Sequence, residues 1–272
     1  MPNLADPTPP RISISVYVIA YNEADKLAAA LRSVAWADEI VVADSHSTDA
    51  TATIAARHAA RVIQVPFDGF GRLRNHVLDQ LRGDWIFSLD ADERCTEAAA
   101  AEIRRTVALP QPCDAYLVPR RNYVFGRWIE HSGYFPDYRQ PQLFRRGALR
   151  YTEDAVHETY RLDGSLGHLI EPIAQIPFRD LNQILHKMQR YSTLGVERLE
   201  RQHAAPSMAA ALLHGAAAFL RHYVVKRGVL DGWAGLVIAL SNFEGTFYRY
   251  AKHYEKQRHL VVEPPLPRSF RR

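Results

Sequence analysis

Cysteine is scarce in this 272-residue chain: Cys95 and Cys113 are too few and too far apart for a disulfide framework or a cysteine-spaced metal site. A reducing, cytoplasmic setting is the corresponding expectation. Long apolar runs are also lacking. The longest, Met208 to Leu220 (broken by His214) and Trp233 to Leu240, fall short of the roughly 18 residues expected of a membrane-spanning helix. The opening residues, MPNLADPTPPRIS, have neither the basic start nor the apolar stretch of a secretory signal. Glycine is missing where phosphate-cradling loops need it. The first strand is followed by Tyr21-Asn22-Glu23, which argues against a P-loop, a dinucleotide fold or a sugar nucleotidyltransferase.

Hydrophobic residues make up 47% of the chain and charged residues 24%, enough apolar surface to exclude a disordered or collagen-like chain. The length fits one large domain or a domain with a substantial extension. Net charge is uneven along the sequence. Residues 1–115 carry 11 Lys and Arg against 16 Asp and Glu, whereas residues 116–272 carry 23 against 14. An acidic first part suits a cation, and a basic second part suits phosphates on nucleotides, lipids or nucleic acid. No nucleic-acid-binding motif is present, so no nucleic-acid partner is expected.

Short β-rich runs alternate with helical periodicity through the first hundred residues. Strands are expected at Ile12 to Ala20, Glu39 to Ala43, Arg61 to Val65 and Trp85 to Leu89. Helices are expected behind Asn22 as a cap, over Asp49 to Ala60, over Gly71 to Leu81, and over Thr96 to Val107 with Thr96 as the cap. Such alternation predicts an α/β fold, a mostly parallel sheet flanked by helices, with ligands beyond the carboxyl ends of the strands. Those ends are all polar: Tyr21-Asn22-Glu23, Asp44 to Asp49, and Asp90 to Glu93. From about residue 115 the pattern is irregular, aromatic and arginine-rich, and from about Leu181 to Arg258 it is helical.

Asp90 and Asp92 leave the apolar run WIFSL one residue apart. Both can reach a hard divalent cation that bridges diphosphate oxygens; the other reading is that they cap the helix opening at Thr96. Asp44 can accept a hydrogen bond from a uracil imide or a ribose hydroxyl, and Tyr21 can lie against a base. Ser47, Thr48 and Asp49 read as the cap of the second helix. Arg72 and Arg74 either neutralise phosphate or line a solvated helix face.

IAYNE, VVADSHSTDAT, the RN of GRLRN, and FSLDADE, in this order, resemble the nucleotide-sugar-binding half of family 2 glycosyltransferases of the GT-A fold. YFPDYRQPQLFRR, VHE, KMQRYS, RGVLDGWAGL and FYRYAKHYE narrow the likeness to the bacterial lipopolysaccharide-core β-1,4-glucosyltransferases. Two positions depart from that subfamily's usual pattern. Gln142 stands for an arginine before Leu-Phe, and Gln175 for a histidine before the late helices. The resemblance implies that residues 12–115 bind the nucleotide sugar, 116–180 the acceptor, and that 181–258 form a helical extension. A flexible start (1–11) and a disordered, Pro-rich basic tail (259–272) are expected to flank these parts.

The resemblance further implies that Glu23 and Asp44, with Tyr21 and Asn22, contact the uridine, and that Asp90 and Asp92 take the ribose and a diphosphate-bound Mn²⁺ or Mg²⁺. The inverting transfer that the resemblance implies, of glucose from UDP-glucose to the inner-core heptose, needs a base. Glu158 ranks first, then Asp154, then Asp137, against the alternative that Glu158 and Asp154 pair with nearby arginines. His157 reads as a metal ligand, a diphosphate contact or a structural histidine. The implied partners are the nucleotide sugar, a lipid-linked saccharide and the inner leaflet. Basic residues interleave with aromatics around Arg221 to Trp233 and again over Phe247 to Arg258. Such stretches suit either an anionic leaflet or helix packing. A polyprenyl-phosphate or other envelope-glycan acceptor is the alternative, and a non-catalytic nucleotide-sugar-binding protein the more distant one.

Overall fold

The computed structural model describes residues 11–258 except 59–60, 153–158, 204 and 206. In chain order the elements are β1 (Ile14–Ala20), α1 (Ala24–Ser33), β2 (Glu39–Asp44), α2 (Thr51–Arg57), β3 (Arg61–Gln64), α3 (Phe70–Leu78), β4 (Trp85–Ser88), β5 (Glu93–Arg94) and α4 (Glu97–Val107). Short strands follow: β6 (Ala115–Leu117), β7 (Arg120–Val124), β8 (Arg127–Trp128), β9 (Pro141–Arg145), β10 (Leu149–Tyr151), β11 (Tyr160–Leu162), β12 (Leu166–His168) and β13 (Ile173–Gln175). The chain ends in α5 (Leu181–Arg201), α6 (Met208–Leu220), a π-helical turn at Arg221–Val225, a 3₁₀ turn at Gly228–Asp231 and α7 (Gly232–Gln257). Two compact units result. One takes residues up to Tyr123 with Phe135–Pro177, and the other takes Val124–Tyr134 with residues from Phe178 onward.

The first unit is an α/β layer structure. Its seven-stranded sheet has the order β12-β6-β9-β4-β1-β2-β3, parallel except for β9, which runs antiparallel to both neighbours. ISVYVIA forms the central β1 because its β-branched residues suit a pleated strand buried on both faces. Val16 and Val18 point to one face, against Leu27 and Leu31 of α1 and Ile103 of α4. Tyr17 points to the other, with Leu73 and Val77 of α3. Each such burial contributes roughly 1.5–3 kcal/mol.

Thr96 caps α4, its Oγ1 accepting from Ala99 N at 3.1 Å. Asn22 does not cap α1; Glu23 holds that position without a side-chain bond. Asn22 instead adopts φ 54°, a left-handed conformation that asparagine tolerates. The turn expected to cap the second helix serves both helices: Asp49 Oδ1 accepts from Thr51 N, the first residue of α2, at 2.9 Å, and the rest of the turn reaches the start of α1. Ser47 Oγ accepts from Asn22 N (2.9 Å), Thr51 Oγ1 from Glu23 N (2.9 Å) and Asp49 Oδ2 from Ala24 N (3.2 Å). Thus the β1 and β2 exits are tied into one polar rim.

The second unit is helical around Val124, Ile129, Ile184, Ala234 and Ile238. RGVLDGWAGL acts structurally here. Buried Asp231 accepts from Ser132 Oγ (2.7 Å) and His131 N (3.1 Å), and a Cβ on Gly235 would fall 1.9 Å from Gly228 O. α6 buries only Ala211 and Gly215. Leu212, Leu213 and Leu220 are exposed, Leu213 by 71%, as is Val225 in the following turn, by 75%. Because the π-helical turn continues α6, Met208–Val225 forms one stretch long and apolar enough to cross a membrane, only 11% of it buried. The apolar runs that look too short in sequence are therefore extended by the structure. The later aromatic-basic run is taken up in helix packing. Lys252 Nζ bonds Ser192 Oγ (2.9 Å) and Thr193 Oγ1 (2.8 Å), Lys256 pairs with Glu200 (2.9 Å), and Tyr250 stacks on His214.

Candidate active site

The order β4-β1-β2 sets three polar strand exits side by side, with Ala20 in register with Asp44. Tyr21 is exposed there. Asn22 Oδ1 accepts from Thr48 N at 2.8 Å, and Glu23 lies 3.7 Å from Lys26. Asp44 is buried, accepting from Ser47 N, Ser47 Oγ and Gln64 Nε2, the last at 2.8 Å. Arg74 is buried as well. Its guanidinium donates to Tyr17 OH (3.2 Å), Ser88 Oγ (3.0 Å) and Asp90 Oδ1 (3.1 Å), so its charge orients Asp90. Arg72 pairs with Asp68 on the surface.

Asp90 keeps 36% of its side chain exposed, and Asp92 stands two residues on at the same exit. The Gln175 amide nitrogen lies 3.4 Å from an Asp92 carboxylate oxygen. The Gln175 carbonyl oxygen is buried and accepts no hydrogen bond. Two carboxylates at one strand exit are hard donors of the kind that Mg²⁺ or Mn²⁺ takes, so Asp90 and Asp92 fit such an ion. Among the described residues no group of three or more His, Cys, Asp or Glu forms a ready-made cage.

Beneath this loop lies a residue that the sequence reading did not single out. Glu93 is fully buried. It accepts from Asp90 N (2.9 Å), Gln142 Nε2 (2.9 Å) and Arg120 Nε (2.5 Å). Burial pushes its carboxyl up to about 7, against the pull of the Arg120 charge. Gln142 and Gln175, the two departures in the part assigned to the acceptor, therefore both meet the Asp90–Glu93 loop. Arg139 was also missed. Burial opposes its charge, but Asp137, Glu93 and Asp90 outweigh burial and hold the guanidinium more firmly protonated than usual. Asp137 itself pairs with Arg139 at 2.8 Å and accepts from Asn122 at 3.2 Å. Asp154, His157 and Glu158 lie outside the described residues.

With the α/β sheet and the strand-end carboxylates in place, comparison with known proteins is decisive. The glycosyl transferase family 2 profile matches residues 15–162. This chain belongs to glycosyl transferase family 2. It is 29% identical over 269 residues to the lipopolysaccharide core biosynthesis glycosyltransferase LpsC of Rhizobium meliloti (strain 1021), covering 94% of this chain and 96% of the relative. An uncharacterised glycosyltransferase of Rickettsia bellii (strain RML369-C) is 26% identical, covering 88% and 85%. Among solved structures, S. aureus TarS 1–349 aligns over 93% of each chain at 17% identity and a TM-score of 0.45. The glucosyl-3-phosphoglycerate synthase of Mycobacterium tuberculosis, crystallised with Mn²⁺ and UDP, aligns over 41% of this chain and 44% of its own at 25% identity and a TM-score of 0.35. The mostly parallel sheet and the C-terminal helices of this family 2 transferase are those that the sequence resemblance implies.

Proposed function

We propose that this family 2 transferase moves a sugar, glucose by its resemblance, from a UDP-sugar to a lipid-anchored saccharide with inversion. The inner-core heptose of lipopolysaccharide is the favoured acceptor. The observation that carries the reading is the set of carboxylates at the β1, β2 and β4 exits. Nearly full-length similarity to LpsC supports the acceptor class. Tyr21 and Asp44 hold the uridine, with Asn22 and Glu23 completing that rim, and Arg74 keeps Asp90 turned towards the ribose and diphosphate. Asp92 and Asp90 would hold Mn²⁺ or Mg²⁺, which would offset the charge of the departing diphosphate. Arg139 adds a fixed positive charge on that side. A carboxylate, Glu158 before Asp154, takes the proton of the acceptor hydroxyl as its oxygen bonds to the sugar carbon and the bond to UDP breaks; His157 lies in the same segment.

The purified chain is expected to melt higher in the presence of UDP-sugars when Mn²⁺ or Mg²⁺ is supplied, and not with GDP- or CMP-sugars. A thermal-shift panel of nucleotide sugars, each with metal or EDTA, reads this directly. No stabilisation by any UDP-sugar would overturn the donor assignment.

The acceptor reading brings an inner-leaflet, peripheral location with it. A helix apolar all round needs a cover on every side. From Met208 to Leu230 the sequence holds three cations, Arg221, Lys226 and Arg227, and no acid, which suits anionic head groups. Leu213→Glu with Val225→Glu is expected to cut co-sedimentation with phosphatidylglycerol vesicles by about tenfold or more, since each buried side chain contributes roughly 1.5–3 kcal/mol. The response to UDP-sugar is expected to stay unchanged. Vesicle binding unaffected by the double substitution would remove the leaflet reading, as would a dimer whose formation depends on the same two residues.

A further inference from the structure

The helical unit contains a cavity of about 240 Å³ between α5 and α7. Two runs noted in the sequence meet there. Lys187, Tyr191 and Ser192 come from KMQRYS, and Arg249 comes from FYRYAKHYE. None of its lining residues is acidic. The Lys187 ammonium stands 5.0 Å over the Phe178 ring. Arg249 Nε is buried without a hydrogen-bond partner. Its stem lies across Gly195, where a Cβ would come 2.5 Å from Nε, so α5 accommodates the guanidinium only because residue 195 lacks a side chain. Lys252 on the same helix differs in having its ammonium hydrogen-bonded within the helix pair.

A buried N–H without an acceptor is costly, and a guanidinium on a cavity wall that carries no acid suits phosphate oxygens. The Tyr134, Phe178 and Tyr191 rings add flat apolar surface. The volume lies below the roughly 300–1,000 Å³ typical of drug-sized ligands, room for one sugar unit rather than a nucleotide. We propose that this cavity holds a phosphate-bearing sugar unit of the acceptor, with Arg249 on the phosphate. The proposal rests on the saccharide-acceptor reading above and adds an anionic group to it.

Calorimetric titration of the full chain with glucose 6-phosphate, glucose and inorganic phosphate tests the proposal. Phosphatidylglycerol vesicles provide a separate arm. Glucose 6-phosphate is expected to bind at least about tenfold more tightly than glucose, and Arg249→Gln to remove that advantage, as loss of a charge-assisted bond would. Gly195→Ala keeps every charge and improves helix propensity, yet is expected to weaken glucose 6-phosphate binding several-fold by displacing the Arg249 stem. Both variants should fold, melting at or above the wild-type temperature, and keep the UDP-sugar response. Equal affinity for glucose and glucose 6-phosphate overturns the proposal, as does an Arg249→Gln variant that binds the phosphate sugar normally. Loss of vesicle binding in Arg249→Gln with no glucose 6-phosphate binding in the wild type also overturns it, assigning the cavity to a lipid head group. Glucose 6-phosphate binding that follows Arg249, in a chain that binds no UDP-sugar, leaves this site standing while the donor assignment falls.

Discussion

Asp92→Ala is expected to abolish the metal-dependent stabilisation by UDP-sugar and to lower transfer by about a thousandfold, the several kcal/mol that a metal contributes to a developing negative charge. The fold should survive, because Asp92 lies at a strand exit rather than among the core side chains. Isothermal titration of Mn²⁺ with UDP present, beside a melting curve of the free protein, separates the two effects. Asp90→Ala should weaken the metal response too, and it also releases Arg74, whose guanidinium holds Asp90 at 3.1 Å. An Asp92→Ala protein that still answers to UDP-sugar only in the presence of metal would place the ion elsewhere.

The largest effect on stability is expected from Arg120→Ala. Arg120 and Glu93 are both buried and their side chains meet at 2.5 Å. Removing one member of such a pair strands the other charge and costs about 3–5 kcal/mol. Replacing both members, Arg120→Met with Glu93→Gln, should recover most of that loss, because a well-filled neutral pair carries little desolvation penalty. Denaturant unfolding of Arg120→Met, Glu93→Gln and the double variant closes the thermodynamic cycle. The coupling should be large and favourable in the wild type. Additive losses would mean that the pair contributes through packing alone. Since Glu93 also accepts from Asp90 N, the double variant is expected to bind Mn²⁺ less tightly by about 10–100-fold, the range for groups that orient metal ligands.

The exposed apolar surface of α6 with the turns after it, and the cavity between α5 and α7, divide the two aromatic-basic stretches between them. In sequence both stretches suit a leaflet equally well, because periodicity identifies amphipathic helices without naming their neighbours. The structure leaves Leu213, Val224, Val225 and Leu230 outward around Arg221 and Arg227, and turns Lys252 and Lys256 inward to α5. One stretch is available to a bilayer and the other is largely occupied by helix packing.

Local pattern determined a good deal by itself. The buried strands β1, β2 and β4 are legible because continuous β-branched and aromatic runs have few other solutions, and α4 because Thr96 stands where a cap must. The polar exits containing Tyr21, Asp44, Asp90 and Asp92 follow from the same alternation, since strand ends in a parallel sheet share one edge. Only the tertiary structure decided what lies beneath those carboxylates. The segment from residue 115 to 175 looks irregular because its strands are two to five residues long, too short to express a period. Yet β9 pairs antiparallel with β4 and carries Gln142 to Glu93, 49 residues away in sequence. β13 pairs with β5 and carries Gln175 to Asp92, 83 residues away. Arg120 reaches Glu93 across 27 residues. The physical reason is that strand register between distant segments is set by burial and hydrogen bonding in the assembled sheet, which no local run of side chains encodes.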